Sequence, residues 1–221
     1  MPLPIRAVVF DLDGLLIDSE VVWNRVRSDV AAERGVEWTE GDQRAVMGVS
    51  TAAWTAYMID RLGLELTPEA VQKLVVERMV ASYRERVPFK PGAVELVRLA
   101  GEHYPLALAS GSVRELIDLV VASPELTNCF QVVVSADEVE RGKPHPDVFL
   151  EAAHRLGVPP EACVCLEDSG HGIDAGKAAG MRIIAVPDPR FVPNEASLGH
   201  ADVRLDSLTE VTLEHLAGTQ G

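Results

Sequence analysis

Two aspartates one residue apart, Asp11 and Asp13, follow the apolar run Ala7 to Phe10 and precede Gly14. In an extended stretch residues i and i+2 face the same way, so both carboxylates can address one ligand while Leu12 turns toward the core. Gly14 permits a tight turn and a close approach of that ligand to the backbone. Other apolar runs end in a similar way. Leu106 to Ala109 leads into Ser110-Gly111-Ser112, where a hydroxyl and free backbone N–H groups at a helix start make an anion site. Cys163 to Leu166 ends in a second acidic pair, Glu167-Asp168. Between them, the loop Gly142 to Asp147 presents Lys143, braced by Pro144 and Pro146. Four distant segments thus bring carboxylate, hydroxyl, ammonium and carboxylate to one rim, a set that can hold a small anion and a divalent cation.

These residues need a scaffold that gathers strand ends. Short apolar or β-branched runs recur at Ala7 to Phe10, Leu106 to Ala109, Val132 to Val134, Cys163 to Leu166 and Arg182 to Val186. Helical patterns separate the later ones, at Ala93 to Glu102, Val113 to Val121, Asp147 to Leu156 and Gly172 to Ala179. Runs buried on both faces and alternating with helices predict βα units in a doubly wound parallel α/β sheet, which places ligands at the carboxyl ends of its strands. From about Glu20 to Val87 the rhythm changes to helix patterns alone, at Val21 to Arg34, Thr51 to Leu62 and Pro68 to Arg86, with Thr67 as a cap before Pro68. The expected organisation is a core of residues 1–18 and 89–221, interrupted by a small helical-bundle cap at 19–88.

Composition sets outer bounds. With 47% hydrophobic and 24% charged residues the chain is ordinary globular material rather than disordered or fibrous. Its formal net charge of −14 argues against nucleic acid or an anionic membrane as partner, both of which call for clustered Lys and Arg. Three cysteines, with no C-x-x-C pair, predict neither a disulfide framework nor structural zinc, and Cys163 and Cys165 read as buried small hydrophobes. The first residues, MPLPIRAVVFD, hold too short an apolar run for a signal peptide, and no later run reaches membrane-spanning length, so the expected location is the cytoplasm.

The four segments, written out as FDLDGLLIDSE, LALASGS, GKPHPDVF and CLEDSGHGIDAGKAAGM, resemble in order and spacing the motifs of the haloacid dehalogenase superfamily of aspartate-nucleophile phosphotransferases. The helical insert is similar to the cap of the β-phosphoglucomutase-like subgroup. Within that subgroup, FDLDGLLIDSE followed by Trp23, and the closing ADVRLDSLTEVTLEHL, look most like bacterial 2-deoxyglucose-6-phosphate and hexitol-phosphate phosphatases. The resemblance implies that Asp11 attacks phosphorus while Asp13 protonates the leaving oxygen and later deprotonates water. It implies Mg²⁺ held by Asp11, the main-chain carbonyl of Asp13 and Asp168, with Glu167 a nearby or indirect ligand, and phosphoryl oxygens bound by Ser110, Gly111 and Lys143. The physical need for a cation is plain, since a carboxylate 4 Å from a phosphate meets about 4 kcal/mol of repulsion per pair of unit charges at an effective dielectric of about 20.

The implied activity is hydrolysis of a small sugar or polyol phosphate, with a phosphomutase as the alternative; a monomer is the expectation from the self-contained core-plus-cap plan. In the mutase a Lys precedes and an Arg follows the Gly-Val-Ser stretch of the cap. Here those positions are Met47 and Thr51, which weakens a second phosphate site and favours the phosphatase. Trp23, Gly48 and Ser50 are the expected substrate contacts from the cap, whereas Trp54 and Tyr57, three apart on one helical face, are expected to pack there. His145 and His171 are expected to be loop residues beside the motifs rather than metal ligands.

Overall fold

Ala7-Val8-Val9-Phe10 is apolar at every position and β-branched at its centre, as a strand covered on both faces requires. In a computed structural model, which describes residues 3–47 and 51–218, it is β1 (Ala7–Phe10). There follow α1 (Ser19–Ala32), α2 (Glu40–Val46), α3 (Thr51–Leu62), α4 (Pro68–Glu85) and α5 (Ala93–Gly101). The chain then runs through β2 (Leu106–Ser110), α6 (Arg114–Val121), β3 (Val132–Ser135), α7 (Asp147–Leu156), β4 (Cys163–Glu167), α8 (Gly170–Ala178), β5 (Arg182–Ala185), α9 (Glu195–Leu198), β6 (Val203–Arg204) and α10 (Leu213–Ala217).

The strands form one parallel sheet in the order β3-β2-β1-β4-β5-β6. The chain winds from β1 outward to β3 and then returns to the other side of β1 with β4, so the order reverses beside β1 and the crevice of a doubly wound sheet opens there. Register puts Phe10 level with Leu108 on one side and Leu166 on the other, so the residues that follow β1, β2 and β4 emerge side by side. Ala7, Val9, Ala107, Ala109, Cys163 and Cys165 pack on one face against Val148, Phe149 and Ala152 of α7 and Ile173 of α8. The alternate positions Val8, Phe10, Leu106, Leu108, Val164 and Leu166 are equally enclosed, which is why these strands lack a polar face.

The chain divides into two compact units, Met1–Asp18 with Val87–Gly221, and Ser19–Arg86. In the second unit α4 begins as its sequence dictates: Thr67 accepts the Ala70 N–H at 3.3 Å and Pro68 takes the first turn. Trp54 is buried, its ring edge-on to Trp23 at 6.0 Å, and the half-buried Tyr57 donates its hydroxyl to Asp42 at 2.7 Å. Where the first unit leaves and re-enters this insertion its two segments pair: Asp18 donates to the Pro88 carbonyl, Lys90 donates from its backbone to Leu16, and Ile17 bridges Phe89. Val87 and Pro88 accordingly group with the first unit. Among the described residues no helix is long and apolar enough to cross a membrane.

Candidate active site

β1 is followed by a polar residue, and β2 and β4 each finish with one, at the same edge of the sheet. Asp11 directly follows β1 and is 5% exposed, with its N–H donated to Leu166 of β4 at 3.1 Å. Ser110 ends β2 and Glu167 ends β4, both wholly buried. Lys143, from the loop before α7, places its ammonium among them. It donates to Asp11, to Glu167 Oε1 at 2.6 Å and to the Ala109 carbonyl at 3.1 Å, over the ring of Phe149 at 4.7 Å.

Asp13 is half-buried, and hydroxyls from the β2 end orient it. Ser110 donates to Asp13 Oδ2 at 3.0 Å and Ser112 donates to the same oxygen at 2.7 Å, while Ser110 accepts the Ser112 N–H at 2.9 Å. Ser110, expected to hold phosphoryl oxygens, thus directs its proton at a carboxylate in this structure. Gly111 is exposed, with open space around its Cα.

The second acidic pair is arranged asymmetrically. Glu167 has both carboxylate oxygens engaged: Oε1 by Lys143, and Oε2 by the N–H groups of Asp168 and Ser169 and the Ser169 hydroxyl, at 3.1 to 3.2 Å. Gly172 makes room for it, since a Cβ there would lie 1.8 Å from Glu167 Oε1. Asp168 Oδ1, by contrast, is a buried oxygen with no hydrogen-bond partner. Gly14 adopts φ +82°, and a Cβ at that position would lie 2.1 Å from Asp168 Oδ2, so glycine is needed both for the turn and for the approach of Asp168.

Burial pushes the Asp11 carboxyl up to about 8, against the attraction of Lys143 and with the help of repulsion from Glu167 and Asp13. Burial, and then repulsion from Glu167 and Asp11, hold Asp168 well above the ordinary carboxylate range. For Lys143 burial acts to lower the pKa, but the charges of Asp11 and Glu167 outweigh it and raise the ammonium above the usual lysine value. The site therefore gathers three buried carboxyl groups, which could not all ionise against one ammonium without a further cation. Asp11, Glu167 and Asp168 offer oxygens within 4.8 Å of one another. Hard oxygen donors, an orphaned carboxylate oxygen and more carboxyl groups than cations fit a divalent cation of the Mg²⁺ kind.

Of the residues singled out by motif, Asp11, Asp13, Ser110, Lys143, Glu167 and Asp168 keep company here. Trp23 belongs to the helical unit, where it meets Trp54 and carries the Arg27 guanidinium 4.8 Å from its ring centre. Gly48 and Ser50 lie outside the described residues. Motif reading passed over the part played by Ser112, visible only as the second hydroxyl of Ser-Gly-Ser. It also passed over Lys90, whose ammonium donates to the Gly14 carbonyl at 2.7 Å and to Asp188 at 3.0 Å. No local motif in the sequence marks Lys90, because its partners lie 76 and 98 residues away.

The model of the haloacid dehalogenase-like hydrolases matches residues 8–186, a span that runs from the second residue of β1 past the end of β5 and contains all four site segments. Hexitol phosphatase B of Escherichia coli K12 is 38% identical over 224 residues, covering 98% of this chain and 99% of that protein. A phosphorylated carbohydrates phosphatase of Thermotoga maritima is 33% identical over 181 residues, covering 81% and 83%. Among solved structures, a mutant of CbbY from Rhodobacter sphaeroides in complex with xylulose-(1,5)bisphosphate superimposes with a TM-score of 0.82 at 28% identity, covering 96% of this chain and 99% of that one. With the sheet order, the strand-end acids and these matches in agreement, the chain belongs to the haloacid dehalogenase-like hydrolases.

Proposed function

We propose that this chain is a Mg²⁺-dependent phosphatase that hydrolyses a small sugar or polyol phosphate through a phosphorylated Asp11. The observation that carries the reading is the juxtaposition at one sheet edge of the buried Asp11, its ammonium partner Lys143, and Asp13 held by the Ser110 and Ser112 hydroxyls. The relatives supply the substrate class: hexitol phosphatase B and the phosphorylated carbohydrates phosphatase are named for phosphorylated polyols and sugars.

Asp11 attacks phosphorus in line, and the bond to the sugar oxygen breaks as Asp13 donates its proton to that oxygen. Asp13, now ionised, takes a proton from water, whose oxygen attacks phosphorus and breaks the bond to Asp11, releasing inorganic phosphate. The hydroxyls of Ser110 and Ser112 keep the Asp13 carboxyl aimed through both steps. Lys143 moves from pairing with Asp11 and Glu167 to sharing its charge with the phosphoryl oxygens as well. Asp11 and Asp168, with Glu167 held behind them by backbone N–H groups, are the side chains that would hold Mg²⁺. Bound there, the ion offsets repulsion between carboxylate and phosphate and stabilises charge on the transferring group. Residues 19–88 would serve as the cap that selects the sugar, with Trp23, Gly48 and Ser50 as its proposed contacts, and Met47 and Thr51 leave it without the cation pair that a bisphosphate-handling mutase carries.

The test is phosphate release from a panel of phosphorylated hexoses, pentoses, polyols and a nucleotide, with Mg²⁺ or EDTA, beside Asp11→Asn. Turnover of a few sugar or polyol phosphates, abolished by EDTA and by the substitution, is the expected result. Interconversion of glucose phosphate isomers without phosphate release would replace this reading with the mutase.

A further inference from the structure

A second polar cluster adjoins the site without belonging to the four motifs. Lys90, seated where the chain re-enters the first unit, donates to the Gly14 carbonyl at 2.7 Å and to Asp188 Oδ2 at 3.0 Å. Asp188 is a buried carboxylate, 4% exposed, beyond the end of β5. Arg190 completes its coordination: its N–H and Nε both donate to Asp188 Oδ1 at 2.9 Å, and Nη2 reaches Asp188 Oδ2 at 2.6 Å and Asp18 Oδ1 at 2.8 Å. A buried carboxylate held by two cations is a fixed point, because its charge would be costly without them. Each of its partners, in turn, grips the loop that starts at Asp11: Lys90 at Gly14, and Arg190 at Asp18.

We propose that Lys90, locked by Asp188 and Arg190, is a positioning residue that sets the Asp13–Gly14 turn, and so the aim of the acid–base carboxylate. Local backbone bonds close the turn, the Leu16 and Ile17 N–H groups both donating to the Leu12 carbonyl at 2.9 and 3.1 Å, but they come from within the same loop. Gly14 has a positive φ, its N–H closes onto the Ile17 carbonyl at 2.9 Å, and its Cα faces Asp168 with no side chain between. A glycine turn has low intrinsic stiffness, and the charge-assisted bond from Lys90 to its carbonyl supplies a tether from a distant part of the chain. The hydroxyls of Ser110 and Ser112 fix the tip of Asp13, while Lys90 fixes the backbone from which Asp13 projects.

This inference rests on the reading of Asp13 as acid and base, and the test separates the two. In Lys90→Met, kcat on the sugar phosphate turned over by the wild type should fall between about tenfold and a hundredfold, the cost of slight misplacement of a catalytic group, with KM nearly unchanged. With p-nitrophenyl phosphate, whose leaving group needs no proton, the first-turnover burst of nitrophenolate should stay near wild type while the steady rate, which needs Asp13 as base, falls. Asp188→Asn should give the same pattern, and the double variant should lose little more than the worse single one. Amide exchange of residues 13–17 should accelerate in both. Lys90→Met leaves Asp188 paired with Arg190, and should it fail to fold, Asp188→Asn carries the same comparison. Folded variants with unchanged kcat, a loss that falls equally on burst and steady rate, or unchanged exchange at residues 13–17 would overturn the proposal. If the wild type hydrolyses no phosphate ester, the phosphatase reading fails while the exchange measurement still decides whether Lys90 tethers the turn.

Discussion

At the scale of single residues, the acids of the site differ because their neighbours differ. Asp11 is buried against one ammonium, Asp13 lies beneath two hydroxyls, Glu167 is engaged by Lys143 on one oxygen and by two backbone N–H groups and a hydroxyl on the other, and Asp168 keeps a bare oxygen. Asp11→Asn should abolish turnover on every substrate of the panel. Ser112→Ala removes the shorter of the two bonds to Asp13; a hydrogen bond to a charged group contributes about 1.5 kcal/mol or more, so kcat should drop about tenfold with KM little changed, read by steady-state kinetics. Gly14→Ala forces a Cβ into the space of Asp168 Oδ2 from a left-handed backbone, and should raise the Mg²⁺ concentration needed for half-maximal activity at least about tenfold. What the motifs made legible is which acids, hydroxyls and ammonium lie together. Their chemical roles are for these variants to decide. The tether from Lys90 was illegible, because it joins residues with no sequence relation and depends on how the segments either side of the insertion pair.

At the scale of elements, the inner strands announced themselves as apolar or β-branched runs, and the described strand boundaries differ from those read off the sequence by about a residue, since β2, β3 and β4 each extend by one polar residue, Ser110, Ser135 and Glu167. The elements passed over are short. β6 has two residues, one of them exposed Arg204, and is defined by pairing with β5 rather than by its own pattern. α2 has seven residues, too few to display a helical period, yet it carries a capping box in which Thr39 and Asp42 satisfy each other's N–H groups. Asp42 also joins α2 to α3. The hydrogen bond from Arg61 at 2.8 Å, with help from Tyr57 and Thr39 and against the effect of burial, holds its carboxyl well below the usual carboxylate range. Because the folded value lies below the unfolded one of about 3.9, this stabilisation is whole at neutral pH and is lost as pH falls from about 4 through the folded value. Asp42→Asn should therefore melt below wild type at pH 7, with the gap narrowing in acid. A gap that stays constant down to about pH 2, by thermal melting, would contradict the assignment.

At the scale of the whole molecule, a chain of net charge −14 gathers buried carboxylates at one sheet edge, and its stability should respond to the cation that balances them. Mg²⁺ at a hundred times its dissociation constant should stabilise the fold by about 2.7 kcal/mol, raising the melting temperature by about 5 to 10 °C for a chain of this size. Asp168→Asn should abolish most of that shift in a calorimetric scan. The doubly wound plan was readable because alternating apolar runs and helices admit few other arrangements. The identity of the sugar was not, because it depends on which side chains of the helical insertion face a substrate, and helical periodicity identifies a buried face without saying what covers it. The measurement that bears most directly on the proposed chemistry is mass spectrometry of the acid-quenched enzyme during turnover of its best sugar or polyol phosphate. A phosphoryl group on the peptide containing Asp11, absent from Asp11→Asn and accumulating in Asp13→Asn with an activated ester, is the predicted result. Sustained turnover with no phosphoryl group on Asp11, or with the group on another side chain, would contradict it.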